Sequence, residues 1–113
     1  MEVMKIKDAY SGSYILFITP GEKVEIHTHR GENGELVNVK VFRLGDFAEY
    51  DSFNLSYTAV ITGITAKNVI FNVSHNPNYP KVKRLKMASF AWRNHDFDIE
   101  ATRERNAITS MSI

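Results

Sequence analysis

The sequence predicts a single, mainly β domain with minor α content, and three observations carry that reading. Apolar and polar residues alternate with a period of two in several short runs, the signature of half-buried strands. Turn formers separate these runs, among them Pro20-Gly21, Asn33-Gly34 and Gly45-Asp46. The stretch from Tyr57 to Val73, YTAVITGITAKNVIFNV, sets two β-rich segments on either side of a short polar turn at Thr65 to Asn68. A chain of 113 residues is long enough for one domain with a modest core. It shows no internal repeat, low-complexity run or linker.

Tyr14 to Ile18 is a short apolar run of β-formers that ends at Pro20-Gly21. Val24, Ile26 and Thr28 then alternate with Glu25, His27 and His29, and the Asn33-Gly34 turn folds the chain back as a hairpin. On the return strand Val37, Val39 and Val41 share one face, and Asn38, Lys40 and Phe42 share the other. With the valines inward, Phe42 is expected on the outer face, as a contact residue or covered by a C-terminal helix. Gly45-Asp46 turns the chain into Phe47 to Tyr50, and Asp51 to Ser56 reads as a polar loop anchored by Phe53 and Leu55.

In the next strand Tyr57, Ala59 and Ile61 are in phase and Ile64 is not. A bulge at Thr62-Gly63 restores Ile64 to the core, because glycine accepts the backbone angles of a bulge. Val69, Phe71 and Val73 resume clean alternation. Ser74 to Pro80 is a loop, and Val82 to Met87 a further strand with Val82 or Leu85 inward. Ser89 is the expected N-cap of a short helix ending near Asn94. Asp96 or Asp98 is the expected start of a second helix to about Ala107, with Arg103 and Arg105 suiting its dipole.

Composition sets limits on function. Hydrophobic residues at 43% and charged residues at 24% give a globular rather than a disordered mixture. The absence of cysteine excludes disulfides, thiolate metal sites and cysteine nucleophiles. The first residues, MEVMKIKDAYSGSY, lack the apolar core of a signal peptide, and no apolar run is long enough to span a bilayer. A cytoplasmic protein with no membrane partner is expected, so the sequons at Asn54 and Asn72 carry no weight.

The net charge of +1 conceals a strong polarity. Residues 1–51 carry a balance of −3 and residues 96–113 one of −2, whereas residues 52–95 carry +6 and contain no Asp or Glu at all. A field of that sign attracts phosphate backbones or an acidic protein surface.

From Gly45 to about Asn94 the order of pieces resembles an SH3-like small β-barrel of the KOW or Tudor type. The pieces are Gly45-Asp46 opening a strand, an aromatic-bearing loop, Tyr57 to Ile64, a short turn, Val69 to Val73, and then a strand and helical turn. Where the KOW pattern has a glycine in its second strand, this chain has Ala59. The resemblance implies a barrel core over residues 45–94, an N-terminal β-hairpin extension over 1–44, and a C-terminal helix and tail over 95–113. It also implies binding of nucleic acid, peptides or partner proteins, a choice that fold alone does not make. In general character the chain is similar to small accessory proteins of phages and mobile elements.

The leading candidate site is the basic segment Lys81, Lys83, Arg84 and Lys86, with Lys67 and Arg93 nearby in sequence. Such cations neutralise phosphates and release counterions, and Tyr79, Phe53 or Tyr57 would offer stacking faces to unpaired bases. The plainer reading is a solvated strand edge, on which lysine also discourages aggregation. His27 and His29 share a strand face and, with Glu25 or His75, form a weak candidate for a divalent metal. Trp92 reads first as a core residue and second as a partner contact. Asp46, Glu49 and Asp51 cluster without a paired base and nucleophile, and no phosphate loop is present, so neither catalysis nor a cofactor is expected. The expected function is a non-enzymatic nucleic-acid-binding module. The alternative is an interaction or inhibitor module for an acidic partner, and a homodimer through edge strands is a third reading.

Overall fold

A computed structural model describes residues 1–8, 12–30, 35–51, 56–74, 76 and 78–97. Among them the chain forms eight strands and one helix, a mainly β fold. Strands β1 (Glu2–Asp8), β2 (Gly12–Thr19), β3 (Lys23–Arg30) and β4 (Glu35–Arg43) make one antiparallel sheet in that order. Strands β5 (Phe47–Asp51), β6 (Ser56–Ile64), β7 (Asn68–Asn72) and β8 (Val82–Lys86) make a second, followed directly by helix α1 (Met87–Asn94). Every pairing joins neighbours in sequence, so short turns are sufficient to build both sheets.

The N-terminal part is larger than the expected hairpin. β3 and β4 pair as anticipated, but β2 and the unanticipated β1 extend them into a full sheet. β1 is a half-buried edge: Met4 and Ile6 pack against the core while Val3, Lys5 and Lys7 face out. The inner face of this sheet carries Tyr14, Leu16, Ile18, Val24, Ile26 and Phe42.

Phe42 corrects the expectation for β4. It is fully buried, paired opposite Val24, with its ring 5.1 Å from that of Phe90 in an edge-to-face contact. Val37 and Val39 are the exposed residues. Three alternating valines suggested the buried face, yet valine suits either face of a sheet, whereas an aromatic ring gains more from burial. The register also slips between Thr28 and His29, so β4 carries an extra residue near Val37 and a single alternation does not run through it.

The second sheet follows its sequence pattern closely. Ala48, Tyr50, Ala59, Ile61, Ile64, Val69, Phe71 and Leu85 point inward. The bulge falls where Ile64 required it, between Ile61 and Gly63. A β-carbon on Gly63 would lie 3.0 Å from Ile70 Cδ1 and 3.2 Å from its Cβ, so the close approach of β7 also favours glycine there. The β6–β7 turn is closed by Thr65, whose N–H donates to the Asn68 carbonyl at 2.9 Å and whose Oγ1 accepts the Asn68 N–H at 2.9 Å. In the following loop Asn72 Oδ1 accepts from the N–H groups of Ser74 and Lys81.

Turns bind the two sheets together. The Gly21 N–H donates to the Ile64 carbonyl at 2.7 Å, and Gly45 N–H to the Ile61 carbonyl at 2.8 Å. Gly45 adopts φ of 88°, a left-handed conformation that disfavours other residues. Asp46 Oδ2 then accepts the Arg43 N–H at 2.7 Å and fixes the turn. One of the two sheets curls into a half-barrel; in the second, β5, β7 and β8 are in contact with α1. Its Met87, Phe90 and Ala91 are buried, and the Phe90 ring lies between those of Phe42 and Phe71. One hydrophobic core therefore runs through both sheets and the helix.

The helix begins at Met87, two residues before the expected cap at Ser89. Lys86 occupies the cap position and makes no side-chain capping bond. The Met87 N–H instead donates to the Lys67 carbonyl at 2.9 Å, so a neighbouring turn satisfies a group that a cap would otherwise serve. Of the second helix expected from Asp96 or Asp98 to about Ala107, all that follows Phe97 lies outside the described residues, as do Phe53, Leu55 and His75. Among the described residues no helix is long and apolar enough to cross a membrane.

Candidate functional site

Among the described residues β8 is an edge strand bonded to β7 alone, and its sequence makes that edge cationic. Leu85 is its one buried residue; Val82, Lys83, Arg84 and Lys86 are all exposed. Strand alternation places Lys83 on the side of Leu85, with Arg84 and Lys86 on the opposite, outer face of the sheet. Arg84 lies across from Ile70, and Lys86 from Asn68. Lys67 is exposed in the β6–β7 turn, held near Lys86 by the bond from Met87 to its carbonyl. At the other end Lys81 is exposed, its backbone fixed to Asn72 and Val73, and Tyr79 is 74% exposed.

Lys67, Lys81, Lys83, Arg84 and Lys86 are thus gathered along β8 and the turn beside it. Among the described residues none of the five is held in an ion pair. The acid-free composition of residues 52–95 becomes a contiguous cationic edge because β6, β7 and β8 are neighbours in one sheet.

Arg93 departs from this group. Its terminal nitrogen lies 2.7 Å from Asp51 Oδ2, its Nε lies 3.8 Å from Glu49 Oε2, and its guanidinium sits 5.5 Å from the Trp92 ring centre. It faces the opposite edge strand, β5, where its charge is already balanced by carboxylates. The linear sequence placed Arg93 with the lysines, whereas the helix carries it to the acidic edge.

Trp92 is 53% exposed, so the core reading for it is overturned. Phe90, two residues earlier, takes the buried position, because on a helix only one of two residues spaced by two faces the core. Trp92 stands between two open depressions. One, of about 340 Å³, is lined by Glu49, Arg93, His95 and Asp96; the other, of about 310 Å³, by Asp51, Leu85, Ala88 and Ser89.

Asn94 is a residue whose role the sequence did not signal. It is fully buried, its Oδ1 accepts the Glu49 N–H at 2.8 Å, and its Nδ2 donates to the Glu49 carbonyl at 3.0 Å. One side-chain amide thus pairs with the free edge of β5 as a neighbouring strand would. Only the N-terminal distance along the chain, 45 residues, separates the partners, and no local pattern announces such a contact.

His27 and His29 lie half-buried on the outer face of the first sheet. His27 packs edge-on against Phe17 at 4.7 Å, and its Nε2 is 3.5 Å from Glu25 Oε1, while Glu25 Oε2 meets Lys23 Nζ at 3.4 Å. No group of three His, Asp or Glu side chains among the described residues is arranged to hold a metal ion. His75, the further ligand considered for this pair, lies outside them.

No family model, curated protein or solved structure matches the chain.

Proposed function

We propose that this protein is a non-enzymatic nucleic-acid-binding module that uses the basic edge of a small, SH3-like β-barrel. The observation that carries the reading is the line of five exposed cations along β8 and the β6–β7 turn, with no opposing carboxylate among the described residues of that edge. Unpaired surface cations repel one another, and a polyanion relieves that repulsion while releasing its own counterions. A cytoplasmic setting and an accessory role in a phage or mobile element are part of the same proposal, as is the absence of catalysis.

The test is direct titration of labelled DNA and RNA at low salt, with the double variant Lys83→Glu/Arg84→Glu beside the parent. Binding that falls steeply with salt and vanishes in the variant supports the reading. Retention of binding in a folded variant moves the contact elsewhere, and absence of binding to every probe removes it.

A second reading, an interaction or inhibitor module, is favoured by Trp92. A large aromatic side chain exposed between two depressions is the kind of residue that dominates protein interfaces. Its signature is a protein partner that survives nuclease treatment and is lost with Trp92→Ala. Edge pairing into a homodimer is read separately, from the molar mass by light scattering.

A further inference from the structure

We infer that the ligand of the β8 edge is a B-form DNA double helix, and that β8 lies as a ridge along its groove between two phosphate walls. This inference rests on the nucleic-acid reading above and names the form of nucleic acid it implies. Its basis is the distribution of cations around the strand. Lys83 projects from one face of the sheet, whereas Arg84 and Lys86 project from the other, with Lys67 beside them. Lys81, two residues before Lys83, continues the series at the loop end.

A single strand offers one line of phosphates, and a binding groove for it collects cations on one side. A duplex groove offers phosphates on both sides. A strand edge with charges on both faces complements the second arrangement. The dimensions agree: the major groove of B-DNA is about 12 Å wide and admits a two-stranded β-ribbon. Along the strand, Lys81 to Lys86 spans roughly 17 Å, about five phosphate steps of one DNA strand measured along its axis.

The apolar chemistry points the same way. Binding of unpaired bases relies on a platform of aromatic faces. Among the described side chains, the outer face of β6, β7 and β8 carries Val60, Thr62, Ile70, Asn72 and Val82 in that position, without an aromatic ring. Tyr79, in the preceding loop, and Trp92, on α1 beside Leu85, are exposed aromatic residues near the cationic edge, and neither stands on the outer face of the sheet. Contacts of this kind are to backbone and are indifferent to base sequence.

The deciding experiment is fluorescence anisotropy with four labelled probes: a DNA duplex of two helical turns, the matching RNA duplex, and one single strand of each. The DNA duplex is expected to bind tenfold or more tightly than its own single strand. For the DNA duplex, log K against log salt is expected to slope at about −4, from four to five neutralised phosphates at roughly 0.9 each. Reversing one flank with Lys83→Glu, and the other with Arg84→Glu/Lys86→Glu, is expected to reduce the slope by about one and about two respectively. Circular dichroism checks that each variant is folded. Equal or tighter binding of single strands overturns the duplex assignment and leaves the nucleic-acid reading standing. Loss of slope from only one flank overturns the ridge geometry, and failure of all four probes to bind overturns both readings.

Discussion

The two edges of the second sheet meet the same physical demand in opposite ways. Each edge strand leaves backbone groups without a strand partner. At β5 the demand is met from within: Asn94 pairs with both backbone groups of Glu49, and Arg93 balances the carboxylates of Glu49 and Asp51. At β8 no comparable cover is present among the described residues, and the strand displays Lys83, Arg84 and Lys86. One edge is neutralised by its own helix, and the other keeps its charge for solvent or a ligand. The difference teaches that charge in this domain divides by edge, and that about two turns of α1 separate a structural arginine from the exposed cations.

The comparison is open to four perturbations, the largest of which removes the anchor of the closing helix. Phe90→Ala takes a fully buried ring out of the stack with Phe42 and Phe71, and is expected to cost about 3–5 kcal/mol in chemical denaturation. A cost near that of a surface change would mean that α1 is not held on the core. Asn94→Ala leaves the Glu49 N–H and carbonyl unpaired beneath the helix, for roughly 2–3 kcal/mol of lost stability by the same measurement. Faster amide exchange at Glu49 than at Tyr50 in that variant would localise the loss to the β5 edge.

Arg93→Ala breaks a partly exposed ion pair, so its expected cost is below about 1 kcal/mol and shrinks as salt is raised. A larger, salt-independent loss would show that Arg93 contributes mainly through packing of its side-chain stem. The smallest effect belongs to the open edge. Lys83→Glu/Arg84→Glu is expected to change stability by no more than about 0.5 kcal/mol. If that pair destabilises as Asn94→Ala does, β8 is a structural edge like β5 and the contrast between them fails.

Much of the second sheet was legible because its signals are local. The alternation at Val69 and Phe71, the Gly45-Asp46 turn and the bulge forced by Ile64 each depend on neighbours within a few residues. The first sheet was harder. β1 has a weak pattern, VMKIK, with lysine interleaved among half-buried residues, and it needs β2 beside it to become a strand. In β4 the sequence displayed two competing faces, and packing against α1 selected the one with Phe42. The candidate site was legible as charge, since five of its six predicted cations gather on one edge, but the departure of Arg93 was not.

The sequence by itself therefore determined a β-rich chain, most of its turns, and an acid-free stretch whose cations only carboxylates from elsewhere in the chain could balance. Those features follow from side-chain period, backbone preference and composition, which act within a segment. The tertiary structure decided which valines face solvent, which aromatic of α1 is buried, and which arginine is consumed by carboxylates. It also created the Asn94 clamp on β5. These outcomes depend on residues distant in the chain competing for the same volume, backbone group or charge, and no segment carries that information alone.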